Sequence, residues 1–136
     1  MTGRADRMLA DLRGAGLKLT PQRIAIVREL ADDLSHPTAQ ALFERLRASF
    51  PTMSFATVYN TLDALARCGL TGSLNLGGAV RFDPNAVPHH HAICDACGAV
   101  VDVDVEPSPE PTITNLSGFR VLREERIYRG LCDRCS

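Results

Sequence analysis

The sequence predicts an α+β chain in two parts, helical first and strand-rich after, and three observations carry that prediction. Apolar residues recur at helical spacing as far as Arg67 and then alternate at the two-residue period of strands. Asp83-Pro84-Asn85-Ala86-Val87-Pro88 divides the parts with turn chemistry and two prolines. Beyond that break lie two cysteine pairs, Cys94-x-x-Cys97 and Cys132-x-x-Cys135.

Ala5, Met8, Leu9, Leu12 and Ala15 set a first helix that stops at Gly14-Ala15-Gly16. Thr20-Pro21 reads as an N-cap with proline at the first helical position, and Ile24, Val27, Leu30 and Ala31 continue that helix. His36-Pro37-Thr38 interrupts the chain. Thr38 can cap a third helix burying Ala39, Leu42, Phe43 and Leu46, which Pro51 ends. Ser54 caps a fourth, whose apolar stripe is Phe55, Val58, Leu62 and Leu65, with Ala56, Thr57, Asn60 and Arg67 opposite and Tyr59 at the flank.

The next two alternating segments, 71–76 and 79–83, flank Gly77-Gly78, a two-residue hairpin signal. Helices followed directly by a hairpin suggest a winged helix-turn-helix over residues 1–83. Residues 84–88 then form a hinge, and 89–136 form a small α/β domain. In it, 89–93 and 99–105 read as strands, 107–116 as a short helix, and 119–131 as a last strand or strand pair.

The 136 residues, 45% hydrophobic, suffice for a buried core. No apolar run approaches the ~20 residues of a membrane span. The opening MTGRADRMLADLRGAGL lacks the apolar block of a secretory signal, so we expect a soluble, cytoplasmic protein with no membrane partner. The net charge of -1 conceals +2 over residues 1–83 and -3 over 84–136. Solvated surfaces explain that asymmetry as well as a nucleic-acid partner does.

A CxxC turn presents two thiolates from one tight loop, and two such turns complete the tetrahedral sulfur shell that zinc favours. The 34 residues between Cys97 and Cys132 would make such a zinc tie the end of the second part to its beginning. Such a closed site has a structural role. Thiol-disulfide chemistry is the alternative, but neither pair opens a helix in a βαβ setting. Cys68 stands alone and reads as a small core residue.

Strand alternation sends His89 and His91 to one face and His90 to the other. The remaining histidine is His36; Asp83 lies at the boundary and Asp102 on the following strand. By themselves His36 and Asp83 read as turn residues before prolines, and the histidine run as a solvated one. A site drawing on all five would bridge the two parts.

LKLTPQR (17–23), HPTAQALFERL (36–46), SFATVYNTLDAL (54–65), RFD (81–83), HHHAICDACGAVVDVD (89–104) and GLCDRC (130–135) together resemble the ferric-uptake-regulator (Fur) family, in its order and over nearly the whole chain. The resemblance implies a homodimeric metalloregulator of transcription, not an enzyme, with an N-terminal winged helix on double-stranded operator DNA and a C-terminal dimerisation domain. It places Tyr59 near bases, with Thr57 and Asn60 as further contacts and Lys18 and Arg23 at phosphates.

The peroxide-sensing branch implies a regulatory site of His36, Asp83, His89, His91 and Asp102 for Fe(II) or Mn(II), with His36 and His89 as the oxidation-sensitive ligands. An aspartate at 102 resembles that branch, whereas iron-uptake regulators more often carry glutamate. Control of iron uptake, or less readily of nickel, zinc or manganese uptake, is the alternative. A redox enzyme would explain the cysteines but leave TPQR and ATVYN without purpose, and a metal buffer that binds no DNA is a further alternative. His90 has no role in either site.

Overall fold

Three hydroxyl caps start three of the four helices found among the described residues. Thr20 Oγ1 accepts the Arg23 N–H at 3.2 Å, Thr38 Oγ1 the Ala41 N–H at 3.1 Å, and Ser54 Oγ the Thr57 N–H at 3.1 Å. Each satisfies one of the N–H groups that a helix start leaves unpaired. The computed structural model describes residues 3–75, 78–87, 89–107, 109, 112–122 and 124–136. The chain clusters into two units, Met1–Val87 and Pro88–Ser136.

The first unit holds α1 (Arg4–Gly14), α2 (Pro21–Ala31), α3 (Ala39–Leu46), α4 (Phe55–Arg67), β1 (Gly72–Leu74) and β2 (Arg81–Asp83). Leu12, Ile26, Val27, Leu30, Leu42, Val58, Leu62 and Leu65 have no exposed surface and form its centre. Each contributes roughly 1.5–3 kcal/mol by leaving water. Phe55 departs from the predicted stripe: it is 41% exposed. As the first residue of α4 it stands beyond the packed layer, edge-on to Phe43 at 5.9 Å and 6.4 Å from the Tyr59 ring.

β1 and β2 pair antiparallel with Leu74 opposite Arg81 and Gly72 opposite Asp83. That register is the one a two-residue turn at Gly77-Gly78 requires. Leu76 and Gly77 themselves lie outside the described residues. The loop between α2 and α3 adds to the free edge of β2: Thr38 bridges Arg81, and the Phe82 N–H donates to the Pro37 carbonyl at 2.9 Å.

The second unit is a three-stranded sheet in the order β4-β3-β5, with β3 at His90–Cys94, β4 at Val100–Val103 and β5 at Ile127–Gly130. β3 and β4 are antiparallel, and β3 and β5 are parallel, with Cys94 opposite Gly130. A parallel neighbour needs a long crossover, and residues 104–126 supply it.

Three expectations are corrected here, the first being Cys68, expected in the core but exposed at the C-terminal end of α4. No helix occurs among the described residues of 107–116, and the sequence opposes one there: proline recurs at 107, 109 and 111, and proline disfavours helical dihedrals in the residue before it. Ser108, Glu110 and Pro111 lie outside the described residues. Of the strand or strand pair predicted over 119–131, Ile127–Gly130 alone is a strand among the described residues, and the apolar Phe119 and Leu122, 70% and 77% exposed, lie outside it. No helix among the described residues is long and apolar enough to cross a membrane.

Candidate metal centres

The parallel pairing of β3 and β5 brings both CxxC turns to one end of the sheet. Cys94 ends β3 opposite Gly130, and the chain then turns through 95–97 to Gly98, whose φ of +76° suits glycine. Cys132 follows β5 by two residues, and the Asp95 N–H donates to the Gly130 carbonyl at 2.8 Å, locking the turns together.

The sulfurs of Cys94, Cys97, Cys132 and Cys135 all lie within 4.8 Å of one another, with Cys97 and Cys132 at 3.7 Å. Zinc at its usual ~2.3 Å from each sulfur gives a tetrahedral edge of about 3.8 Å, whereas a disulfide needs ~2.05 Å. All four are free thiols. The donor set and its spacing therefore fit zinc.

The electrostatics of the cluster agree. Backbone N–H groups of Cys132 and Cys97 donate to Cys94 Sγ at 3.4 and 3.5 Å, and these two contacts pull its thiol down to about 6. A hydrogen bond from Cys135 lowers Cys132, while the Cys132, Cys94 and Cys97 sulfurs push Cys135 up to about 12. Thiolates crowd one another here, and a dication relieves that repulsion.

In the first unit, His36 and Asp83 form a buried pair, His36 Nε2 to Asp83 Oδ2 at 3.2 Å, with side chains 1% and 4% exposed. The strap 36–38 along β2 makes this pair. His36 itself has φ +58°, a left-handed conformation that histidine tolerates better than most residues and that costs roughly 1–2 kcal/mol. The other oxygen of Asp83 accepts the Asn85 N–H at 2.9 Å, and the Thr71 hydroxyl donates to the Asp83 carbonyl. The Asn85 bond thus fixes the carboxylate, and the Thr71 bond fixes the backbone that carries it.

In the second unit, Asp102 sits opposite His91 in the β3–β4 register. Its Oδ1 is 2.9 Å from His89 Nε2 and 3.4 Å from His91 Nε2, and the two rings lie 4.4 Å apart. His90 points to the other face, as alternation requires, and its Nδ1 accepts the Arg126 N–H at 2.9 Å. Glu125 is a partner that sequence reasoning missed: its Oε1 lies 3.1 Å from His91 Nδ1. No local motif marks it, because only the β3–β5 pairing brings it there.

These nitrogen and carboxylate groups, with no thiolate among them, suit Fe(II) or Mn(II). Of the five residues read together from sequence, His36 stands with Asp83 in one unit, and His89 and His91 with Asp102 in the other.

On α4, Tyr59 is 46% exposed, Asn60 is exposed and Thr57 is half-buried, its hydroxyl 3.0 Å from Ser54 Oγ. Lys18 is exposed, and the Arg23 guanidinium donates to the Lys18 carbonyl at 2.6 Å.

The chain belongs to the ferric uptake regulator family, which it matches over residues 14–123. It is similar to the peroxide operon regulator of Bacillus subtilis (strain 168), 38% identical over 131 residues that cover 94% of this chain and 90% of the relative. Among solved structures it resembles PerR from Streptococcus pyogenes, described for peroxide sensing and gene regulation, with a TM-score of 0.57, 26% identity, and 98% and 94% of the two chains covered. The Helicobacter pylori ferric uptake regulator Fur shares the fold, with a TM-score of 0.71 at 20% identity over 97% and 91% of the chains.

Proposed function

We propose that this protein is a metal-dependent repressor of transcription that releases its operator when peroxide damages its metal site. The observation that carries the reading is Asp102 facing both His89 and His91 from the neighbouring strand, an oxygen-and-nitrogen donor set of the kind Fe(II) and Mn(II) take. The names of the Bacillus subtilis and Streptococcus pyogenes relatives, both tied to peroxide, support it.

In this reading His36 and Asp83 join His89, His91 and Asp102 as the ligands of one regulatory Fe(II) or Mn(II). Residues 1–83 form the DNA-binding domain, 84–88 the hinge and 89–136 the dimerisation and metal-binding domain. Cys94, Cys97, Cys132 and Cys135 hold a structural zinc. Tyr59, Thr57 and Asn60 meet bases, and Lys18 and Arg23 meet phosphates. The exposed apolar Phe119 and Leu122 are consistent with a homodimer built on the second unit. We place the protein in the cytoplasm, and as a regulator it needs no catalytic residue.

Bound Fe(II) would supply the electron that converts peroxide into an oxidant beside the ligands, whereas Mn(II) would hold the same ligands without doing so. By the family resemblance, His36 and His89 would be the rings that are oxidised. An oxidised imidazole is a poorer lone-pair donor, so the ligands of the two units would no longer be held together. A coupling of ~1–3 kcal/mol changes operator affinity several-fold or more.

The test is DNA binding by Fe(II)- and Mn(II)-loaded protein, with and without hydrogen peroxide, on a duplex selected from a randomised pool. Peroxide should abolish binding of the iron form alone and add oxygen mass to a peptide containing His36 or His89. Iron-loaded protein that keeps its affinity and its histidines would instead leave a regulator of metal uptake.

A further inference from the structure

We propose that Glu125 is a positioning residue for the regulatory metal: its carboxylate holds the proton of His91 on Nδ1 and so presents Nε2 as a bare lone pair. This rests on His91 being a ligand, as proposed above. An ionised carboxylate only accepts hydrogen bonds, so at 3.1 Å from Glu125 Oε1 the His91 Nδ1 is the donor. The opposite nitrogen, Nε2, is the one that faces Asp102 at 3.4 Å. A metal held by Asp102 therefore meets the nitrogen that Glu125 leaves unprotonated. Carboxylate partners of this kind commonly set the tautomer and ring orientation of ligating histidines.

The backbone keeps Glu125 in place. The His91 N–H donates to the Arg126 carbonyl at 3.1 Å, and the Arg126 N–H donates to His90 Nδ1 at 2.9 Å. The residue after Glu125 is thus bound to two successive residues of β3, and it cannot slide along the strand. The neighbouring acid is engaged elsewhere, since the Arg126 guanidinium donates to Glu124 Oε1 at 3.1 Å. His90, idle as a ligand, acquires a use here: its ring anchors the segment that carries Glu125.

The geometry also separates this role from a structural one. The Glu125 side chain is 43% exposed against 6% for His91, so its removal opens no cavity in the core. What changes is the ring's preferred tautomer, because a free imidazole favours the proton on Nε2.

The experiment uses the full-length protein in three forms: wild type, E125Q and E125A. Two-bond proton–nitrogen spectra of the manganese-free protein report the His91 tautomer under conditions where that ring is neutral. Competition with a fluorescent chelator reports Mn(II) affinity. Wild type and E125Q, whose amide oxygen still accepts, should show the proton on Nδ1, and E125A should shift it to Nε2. Mn(II) affinity should fall about 10- to 100-fold in E125A and less in E125Q. An E125A protein that keeps the Nδ1 proton, or binds Mn(II) like wild type, overturns the proposal. H91A separates the two levels: if H91A loses Mn(II) and E125A does not, the Glu125 role alone falls, whereas H91A binding Mn(II) normally removes His91 as a ligand and Glu125 with it.

Discussion

His36 and Asp83 meet at 3.2 Å because the main chain, not the side chains, brings their segments together. The strap preceding α3 runs along β2, and its first residue takes a left-handed turn to aim the imidazole inward. A ligand pair assembled in this way can be tested by altering the ring while sparing the turn.

The variant for that purpose is His36→Asn, since asparagine also tolerates positive φ. It should keep the helical circular dichroism of wild type while lowering Mn(II) affinity at least tenfold. Unchanged affinity in a chelator competition would remove His36 from the ligand set.

Replacing any one of Cys94, Cys97, Cys132 and Cys135 by serine should yield zinc-free protein whose second unit is less stable and is cut sooner by protease, whereas Cys68→Ser should keep its zinc. Elemental analysis and limited proteolysis check this. Zinc retained by all four single variants would rule out the tetrathiolate site.

Zinc-free, reduced protein should respond to pH through Cys94. Its folded value of about 6 lies below the ordinary 9.0, so the unfolded chain holds this proton more tightly. The stabilisation is complete above about 9 and is lost as pH falls through about 6. Thermal unfolding across that range should show the second unit melting earlier in acid; a melting temperature flat from pH 9 to 6 would count against the thiolate.

Tyr59→Ala should weaken binding to the selected duplex by roughly 1–3 kcal/mol while leaving the melting temperature within a degree or two, because an exposed ring contributes little to the core. Phe55→Ala should lose less, about 0.5–1.5 kcal/mol, through the packing it gives Tyr59. Fluorescence anisotropy measures both. Equal binding by Tyr59→Ala and wild type would move the base contacts off this face of α4.

Asp102→Glu adds a methylene to a carboxylate that reaches both His89 and His91. Metal-dependent DNA binding should persist, and the peroxide dose needed to release the iron form should rise several-fold. A dose response identical to wild type would detach peroxide sensing from the aspartate.

The helix starts were legible because capping is local: Thr20, Thr38 and Ser54 each act within three residues. The cysteine cluster was legible through spacing, and the faces of His89, His90 and His91 through strand alternation. Glu125 was not, since its place beside His91 depends on parallel pairing across a long crossover, which leaves no local pattern. The absence of a helix among the described residues of 107–116 shows the converse: proline at a helix start is favourable once, but three in alternation oppose the helix they seemed to open. Phe55 fits the period of its helix yet lies past the edge of the core, a distinction that periodicity does not carry.

The bond from the Phe82 N–H to the Pro37 carbonyl has a bearing on how this protein can vary. Both atoms belong to the backbone, so mutation of neighbouring side chains leaves the bond's donor and acceptor in place. Lineages can therefore exchange the residues around the strap, and alter what the hairpin touches, while inheriting the approach of positions 36 and 83 unchanged. The one residue in it that cannot drift freely is 82 itself, where proline would delete the donor and part the pair in a single step.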